Sequence, residues 1–191
     1  MATGSGACGQ SADDPKQTGT AMSLTAVMTI TATTHYVGVR FQNVTVPQGA
    51  TINSATLTVD LPTTFGDSPN GVTWYGELAT NAAAFTTTAS DITNRALTTA
   101  TTVWSGVDIG TGDEALTVTS IVQEIVSQGG WASGNAMAML LYPAASASIR
   151  ITNYDTSTTL CARLAIDYTE GGGGGGGITM HAMYYARMRE G

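Results

Sequence analysis

Apolar and polar residues alternate along residues 52–61, and this alternation constrains the fold more than any other feature of the sequence. Ala55, Leu57, Val59 and Leu61 fall on one face of an extended chain, and polar residues fall on the other. A period of two residues is typical of a β-strand with one face in a core and one face toward solvent. We therefore predict a half-buried strand at this position.

Seven more segments have strand-like patterns, and turn residues such as Pro47-Gln48-Gly49 and those of 67–71 separate them. In one of these segments, alternation places Val44 on the face of Tyr36 and opposite Phe41. The seven segments are 23–30, 36–44, 72–78, 103–109, 136–142, 148–154 and 160–168.

About eight short strands at spacings of roughly 8–15 residues predict an all-β fold, namely a jelly-roll-like antiparallel β-sandwich. The amino-acid composition agrees with this prediction. The chain contains 33 threonines, and only 11% of its residues are charged. Threonine is β-branched and suits a pleated, partly solvated surface.

One segment departs from the β pattern and predicts a short helix at about 117–128. Ser120 with Gln123, or Thr119 with Val122, offers a cap at its start, and Gly129-Gly130 follows its end. Its apolar residues recur at helical spacing: Val118, Ile121, Val122, Ile125 and Val126.

The charge and hydropathy of the chain exclude two classes of partner. The net charge of −7, with seven scattered basic residues, is opposite to what binding of nucleic-acid phosphates requires. No apolar run approaches the ~18–20 residues of a membrane span, so no membrane partner is predicted. The N-terminus has no basic region followed by an apolar run, and we expect no signal peptide and synthesis in the cytoplasm.

The sequence predicts no catalytic site and no cofactor. His35 and His181 stand in no recognisable motif, and no pair of acids suited to glycoside hydrolysis can be nominated. No phosphate-binding or metalloprotease motif is present. We therefore expect a protein that is not an enzyme.

The cysteines and acids offer few metal ligands. Cys8 and Cys161 are too few for a disulfide framework, and we expect Cys161 to be buried. No cluster of Cys and His residues could bind zinc. Asp13, Asp14 and Asp155 could converge as a calcium site, but solvated turn residues are the favoured interpretation, so no metal is predicted.

The chain divides by composition into four parts: an N-terminal arm at 1–20, a β-sandwich at 21–169, a polyglycine tether at 170–177 and an apolar tail at 178–191. Seven consecutive glycines cannot contribute to a core and lose much entropy on ordering. Met180, Tyr184 and Met188 are four residues apart and favour a short amphipathic helix. The candidate subunit-interface residues of the tail are Ile178, Met180, Met183, Tyr184, Tyr185 and Met188.

The tail has two interpretations. It either folds back on its own domain or reaches a groove or a strand edge on a neighbouring subunit, as a docked helix or an added strand. We favour the contact with a neighbouring subunit.

Exposed aromatic rings are candidates for contact with a glycan or a protein. Trp74 and Tyr75 are adjacent in a predicted strand, so one of the two should face outward. Trp104 is a further candidate, whereas Trp131, after the predicted helix, is expected in the core.

Several segments resemble DNRLRE-like β-sandwich modules, over about residues 11–169. They include Tyr36-Val-Gly-Val-Arg-Phe-Gln-Asn-Val44 with the residues to Ile52, and Ala84-Phe-Thr-Thr-Thr88 with Asp91-Ile-Thr-Asn-Arg95. The closest likeness is Leu116-Thr-Val-Thr-Ser-Ile-Val-Gln-Glu-Ile-Val126, followed by Gly130-Trp-Ala-Ser-Gly-Asn-Ala136 and Leu164-Ala-Ile-Asp-Tyr168.

Such modules occur in bacterial surface proteins and in tailed-phage virion proteins, and some are related to carbohydrate-binding modules. The resemblance carries over no catalytic residues. Since no signal peptide is visible and the module is nearly the whole sequence, it implies a virion structural protein, foremost a capsid decoration (cement) protein, with tail or fibre attachment as a variant. Its partners would be the major capsid protein or tail components and other copies of itself. The alternative is a carbohydrate-binding module that mediates attachment to glycans.

Overall fold

The computed structural model describes residues 9–62, 67–107, 109–145, 147–170 and 179–184. Within these ranges the chain forms one α-helix, twelve strands and a 3₁₀ turn at Ser11–Asp13. The elements are β1 (Lys16–Thr18), β2 (Ala21–Ser23), β3 (Met28–Ile30), β4 (His35–Val44), β5 (Thr51–Leu61), β6 (Val72–Glu77), β7 (Leu97–Trp104), β8 (Gly112–Thr117), α1 (Thr119–Val126), β9 (Asn135–Tyr142), β10 (Ile149–Ile151), β11 (Arg163–Thr169) and β12 (Thr179–Tyr184).

The strands form two large antiparallel sheets and a small third one. The six-stranded sheet has the order β2-β1-β4-β9-β6-β7, and the four-stranded sheet has the order β12-β11-β5-β8. A two-stranded sheet pairs β10 with β3. The prediction of an all-β antiparallel sandwich with a single short helix is confirmed for the described residues, and the jelly-roll connectivity stays a prediction.

The two large sheets share one hydrophobic core. Phe41 and Trp74 of the six-stranded sheet and Leu57 and Ile166 of the four-stranded sheet are fully buried in the same cluster. The residues that alternate with Leu57 on β5 also lie in this core, so the half-buried strand predicted at 52–61 is confirmed. Burial of such side chains contributes about 1.5–3 kcal/mol each.

A second, smaller core covers the outer face of the six-stranded sheet. On β9, Ala138 and Leu140 point into it, while their neighbours point into the main core, so this strand is buried on both faces. The segment 78–96, which has no strand, supplies Phe85 and Ile92 to this layer. The Arg95 guanidinium lies 3.8 Å from the centre of the Phe85 ring, a cation–π contact.

Gly38 lies directly beneath Phe85. A Cβ atom at this position would stand 2.5 Å from Cζ of that ring. Because Gly38 has no side chain, the segment 78–96 packs closely against β4 at this position.

The helix prediction is confirmed for the buried apolar residues and wrong for the N-terminal cap. Helix α1 buries Ile121, Val122, Ile125 and Val126, as the apolar spacing predicted. No side chain caps its N-terminus. Thr119 Oγ1 instead accepts a hydrogen bond from Ala55 N (2.9 Å), because the helix start lies against β5 and the hydroxyl satisfies a strand amide.

The structure corrects the predicted position of Val44. Asn43 has a positive φ of 53°, and the register between β4 and β9 shifts between Phe41 and Val44. This bulge inserts one residue, so Val44 turns to the same core as Phe41 rather than to the face of Tyr36.

Several predicted boundaries are also wrong. The strand predicted at 103–109 ends at Trp104 and begins earlier, at Leu97. Strand β8 was not predicted, because Asp113 and Glu114 interrupt its apolar pattern.

The predicted N-terminal arm is wrong from Ser11 onward. Strand β1 pairs with both β4 and β2, and Asp13, Asp14 and Gln17 are buried. Gln17 Oε1 accepts hydrogen bonds from Ile92 N and Thr93 N (both 3.1 Å). Polar contacts, rather than burial of apolar surface, attach this stretch to the domain. Its polar composition therefore resembles that of an unattached arm. Residues 1–8 lie outside the described residues.

The close packing of Gly38 against Phe85 generates a prediction. The Gly38→Ala substitution should lower the free energy of unfolding by about 1–3 kcal/mol, since the added methyl group forces the ring or the sheet to move. Urea unfolding would measure the change. Gly129→Ala is the matched control, because nothing lies within 4 Å of a Cβ at that position. Equal stabilities of the two variants would contradict this account.

Candidate functional site

The tail contributes a strand to the edge of the four-stranded sheet. Strand β12 pairs with β11 along six residues, from Thr169 opposite Thr179 to Leu164 opposite Tyr184. The prediction of a short helix is wrong for these residues. Isolated helices shorter than ~12–15 residues are marginal, whereas the edge of β11 offers main-chain partners at every second residue.

The predicted tail residues divide into two groups. Met180, Met183 and Tyr184 lie on β12, opposite Tyr168, Ala165 and Leu164 in Cα register. The other three, Ile178, Tyr185 and Met188, lie outside the described residues.

Strand β11 is held by the domain independently of β12. Leu164 and Ile166 are fully buried in the main core, and seven register pairs join the strand to β5. Asp167 faces the other side, and its Oδ1 is buried without a hydrogen-bond partner in the described part of the chain. The residue opposite Asp167 on β12 is His181.

The edge of the six-stranded sheet at β7 is closed in a different way. The Glu124 carboxylate of α1 accepts hydrogen bonds from Thr99 N (2.9 Å) and Ala100 N (2.7 Å). Thr102 Oγ1 donates to Thr117 O (2.6 Å), the last residue of β8. The Glu124 carboxylate thus occupies two β7 amides at which a foreign strand would pair, and Thr102 links β7 to the end of β8. Strand β12 is likewise an edge strand, with no strand on its outer side among the described residues.

The predicted glycan contact at Trp74 is wrong. Trp74 is fully buried in the main core, and Tyr75 is the one of the pair that faces outward. Trp104 is also buried. The expectation for Trp131 is confirmed, since its ring is buried and its Nε1 donates to Val46 O (2.8 Å).

Tyr75 instead belongs to a cluster of three half-buried tyrosines on the outer face of the six-stranded sheet. The Tyr142 ring lies between the other two, edge-to-face with Tyr36 (5.1 Å between ring centres) and Tyr75 (5.2 Å). Burial, followed by the two neighbouring phenols, raises the pKa of Tyr142. Sequence analysis did not join these residues, because they lie on three predicted strands whose neighbour order the sequence does not reveal.

The three acids of the calcium hypothesis do come near one another, but most of their oxygens are already used. Asp13 accepts hydrogen bonds from Arg40 Nη1 and Gln42 Nε2 (both 2.7 Å). Asp155 Oδ1 accepts one from Ser11 Oγ (2.8 Å). In residues 9–170, apart from the short gaps in the described chain, no three His, Cys, Asp or Glu side chains are grouped to hold a metal ion.

Asp14 is buried within this cluster, and its pKa is raised. Its Oδ2 accepts a hydrogen bond from Tyr154 N, and its Oδ1 is buried without a hydrogen-bond partner. Burial raises the pKa of Asp14 to about 8, and Cys161, Asp155 and Asp13 add to the rise against the opposing effect of the Tyr154 amide. The raised pKa favours the neutral, protonated form of this carboxyl group at pH 7.

His35 and Cys161, which the sequence analysis also considered, lie within the folded domain. His35 Nδ1 lies 3.2 Å from Thr31 N, and burial, followed by the charge of Lys16, lowers the pKa of this histidine. Cys161 is buried, as predicted, and Cys8 lies outside the described residues. In the described ranges there is no helix with the length and apolar character that crossing a bilayer requires.

No protein-family model matches this sequence, and no curated protein is significantly similar to it. The likeness to DNRLRE-like modules therefore stays a prediction.

The raised pKa of Asp14 makes stability depend on pH. The unfolded chain loses this proton near the ordinary pKa of 3.8, while the folded chain keeps it up to about pH 8. Between these pH values the unfolded state binds fewer protons, so the free energy of unfolding falls as pH rises. Asp14→Asn keeps an oxygen for the Tyr154 amide and does not titrate.

The Asp14→Asn variant should therefore lose less stability than the wild type between pH 5 and pH 8, by at least about 1.4 kcal/mol, the equivalent of one pKa unit. Urea unfolding at the two pH values would measure the difference. Asp155→Asn, at an exposed neighbouring position, is the control and should keep most of the fall. A wild-type pH dependence in Asp14→Asn would show that this carboxyl group does not carry the effect.

Proposed function

We propose that this protein is a structural component of a tailed-phage particle, foremost a capsid decoration protein, which attaches through its C-terminal strand. The observation that carries the proposal is the position of β12 at the open edge of the four-stranded sheet, beyond seven consecutive glycines. An assembly protein needs a stable domain and a segment that makes main-chain contacts with neighbours. The shared core of the two sheets provides the first, and β12 provides the second.

The partners in this proposal are the major capsid protein or tail components, together with other copies of the chain. A strand edge recognises its partner chiefly through backbone hydrogen bonds, which suits repeated contacts between identical subunits. The sequence of β12, Thr179-Met-His-Ala-Met-Tyr184, has no residue with a fixed charge to oppose such pairing. The chain's net charge of −7 speaks against nucleic acid as the partner.

Deletion of residues 171–191 tests the proposal. The truncated domain should stay folded, because Leu164 and Ile166 hold β11 in the core without β12. Its incorporation into particles should fall about tenfold or more, equivalent to a loss of at least ~1.4 kcal/mol per contact. Quantitative gel analysis of purified particles would measure the incorporation.

A full-length control separates pairing of the strand from mere presence of the tail. Ala182→Pro removes one amide donor and should disrupt β12, so it should reduce incorporation as the deletion does. Normal incorporation of the truncated chain would contradict the attachment role.

A second candidate function is binding of glycans through the tyrosine cluster. The cluster of Tyr36, Tyr75 and Tyr142 favours it, because half-exposed phenol rings combine an apolar face with a hydroxyl group, as sugar recognition requires. Of the two contacts that the sequence predicted, this site keeps Tyr75 and leaves out the buried Trp74.

A glycan array tests this second function. Tyr75→Ala should weaken binding of any glycan found by about tenfold, equivalent to ~1.4 kcal/mol, because it removes one ring of the cluster. The control is Val103→Ala, which changes a side chain that is 62% exposed on β7. Binding that is unchanged in Tyr75→Ala, or absent for the wild type, would argue against the glycan function.

A further inference from the structure

We propose that β12 is an exchangeable strand, which in the assembled state leaves its own β11 and pairs with β11 of a second copy of this chain. The inference deepens the proposed function, on which it rests, by naming the partner of the strand. It stands on three features of the described chain: the separation of the paired strands in sequence, the independence of β11 from β12, and the equivalence of the edge in every copy.

The connection between β11 and β12 is longer than a hairpin needs. Thr169 and Thr179 are opposite each other, so nine residues separate the paired ends. Neighbouring strands lie only about 4.8 Å apart, and β-hairpin loops commonly have 2–5 residues. Nine residues extend up to about 30 Å, and a glycine-rich chain of this length has a root-mean-square span of about 16 Å. Such a span allows β12 to pair with a second copy whose β11 edge lies within about 30 Å.

The edge that receives β12 is formed by the domain alone. Leu164, Ile166 and Tyr168 of β11 are buried in the main core, and the strand pairs with β5 on its other side. When β12 leaves, the main-chain groups on this edge of β11 lose their partners while the strand stays in place. An incoming strand of the same sequence can restore the same six pairs.

The choice between the two arrangements therefore depends on concentration rather than on contact energy. The same strand pairs with the same edge in both, so the main-chain contacts are equivalent. A short tether gives its own strand an effective concentration of the order of millimolar. Closed monomers should dominate at micromolar concentration, and exchange becomes competitive where copies are held side by side at a comparable density.

Two single-cysteine chains test the exchange. Both carry Cys8→Ser and Cys161→Ala; one adds Ala165→Cys and the other Met183→Cys, which are directly opposite in register. Because each chain has one cysteine, a disulfide between the two different chains at this pair requires β12 of one on β11 of the other. We expect this disulfide on non-reducing gels to be rare at about 1 μM and to reach about half of the chains near 1 mM.

Two controls define the contact. Met180→Cys in place of Met183→Cys moves the thiol three residues along β12 and should give at least about fivefold less of the heterodisulfide, since Met180 lies opposite Tyr168. Ala182→Pro, added to the chain that carries Met183→Cys, removes one amide donor of β12 and should disrupt the strand. The heterodisulfide should then disappear at every concentration. Light scattering of the otherwise unmodified chain, with and without Ala182→Pro, gives the same comparison if the cysteine variants do not fold.

The outcomes separate this proposal from the proposed function. If no heterodisulfide and no concentration-dependent growth occur near 1 mM, exchange is wrong, even if deletion of 171–191 still prevents incorporation into particles. If the heterodisulfide forms with the expected register but the truncated chain incorporates normally, exchange stands and the attachment role fails. Equal yields from the matched and shifted cysteine pairs would also overturn exchange, because they indicate random collision.

Discussion

The main-chain groups at the edges of the two large sheets are the constraint on which the rest of this structure depends. Each edge strand presents amide and carbonyl groups that must find partners or water. At β7 the Glu124 carboxylate binds two strand amides, so a helix side chain closes that edge. At β11 the chain supplies β12 instead, from beyond the run of glycines. Of these two arrangements, only the one at β11 uses a strand, which another copy of the chain could supply in its place.

The two sandwich faces divide the remaining roles. The inner face contains the large apolar residues that stabilise the fold, including Trp74. The outer face of the six-stranded sheet is covered by the smaller hydrophobic core, at which Arg95 lies on Phe85 and donates to Glu77 Oε2 (2.6 Å). The three tyrosines lie on this outer face and remain half exposed. Recognition of a sugar and attachment to a particle would therefore use different surfaces of the molecule.

The sequence predicted those elements whose own residues determine them. The alternation around Leu57 and the helical spacing around Ile121 are local patterns, and both were confirmed. Features that depend on distant partners could not be predicted. Strand β1 is attached through Gln17 to residues 92 and 93, and Trp74 is buried by the opposite sheet. The strand at the tail could not be predicted for the same reason, because the spacing of the methionines in the tail does not reveal the edge of β11.

Amide hydrogen exchange along β11 and β12 tests the central claim most directly. In the full chain, alternate amides of Leu164–Thr169 and Thr179–Tyr184 should exchange slowly, because they pair across the two strands. In a chain ending at Glu170, the amides of β11 that pair with β12 should become fast, while those that pair with β5 stay slow. Exchange of Thr179–Tyr184 at the rate of an unfolded peptide, with β11 unaffected by the truncation, would contradict the account.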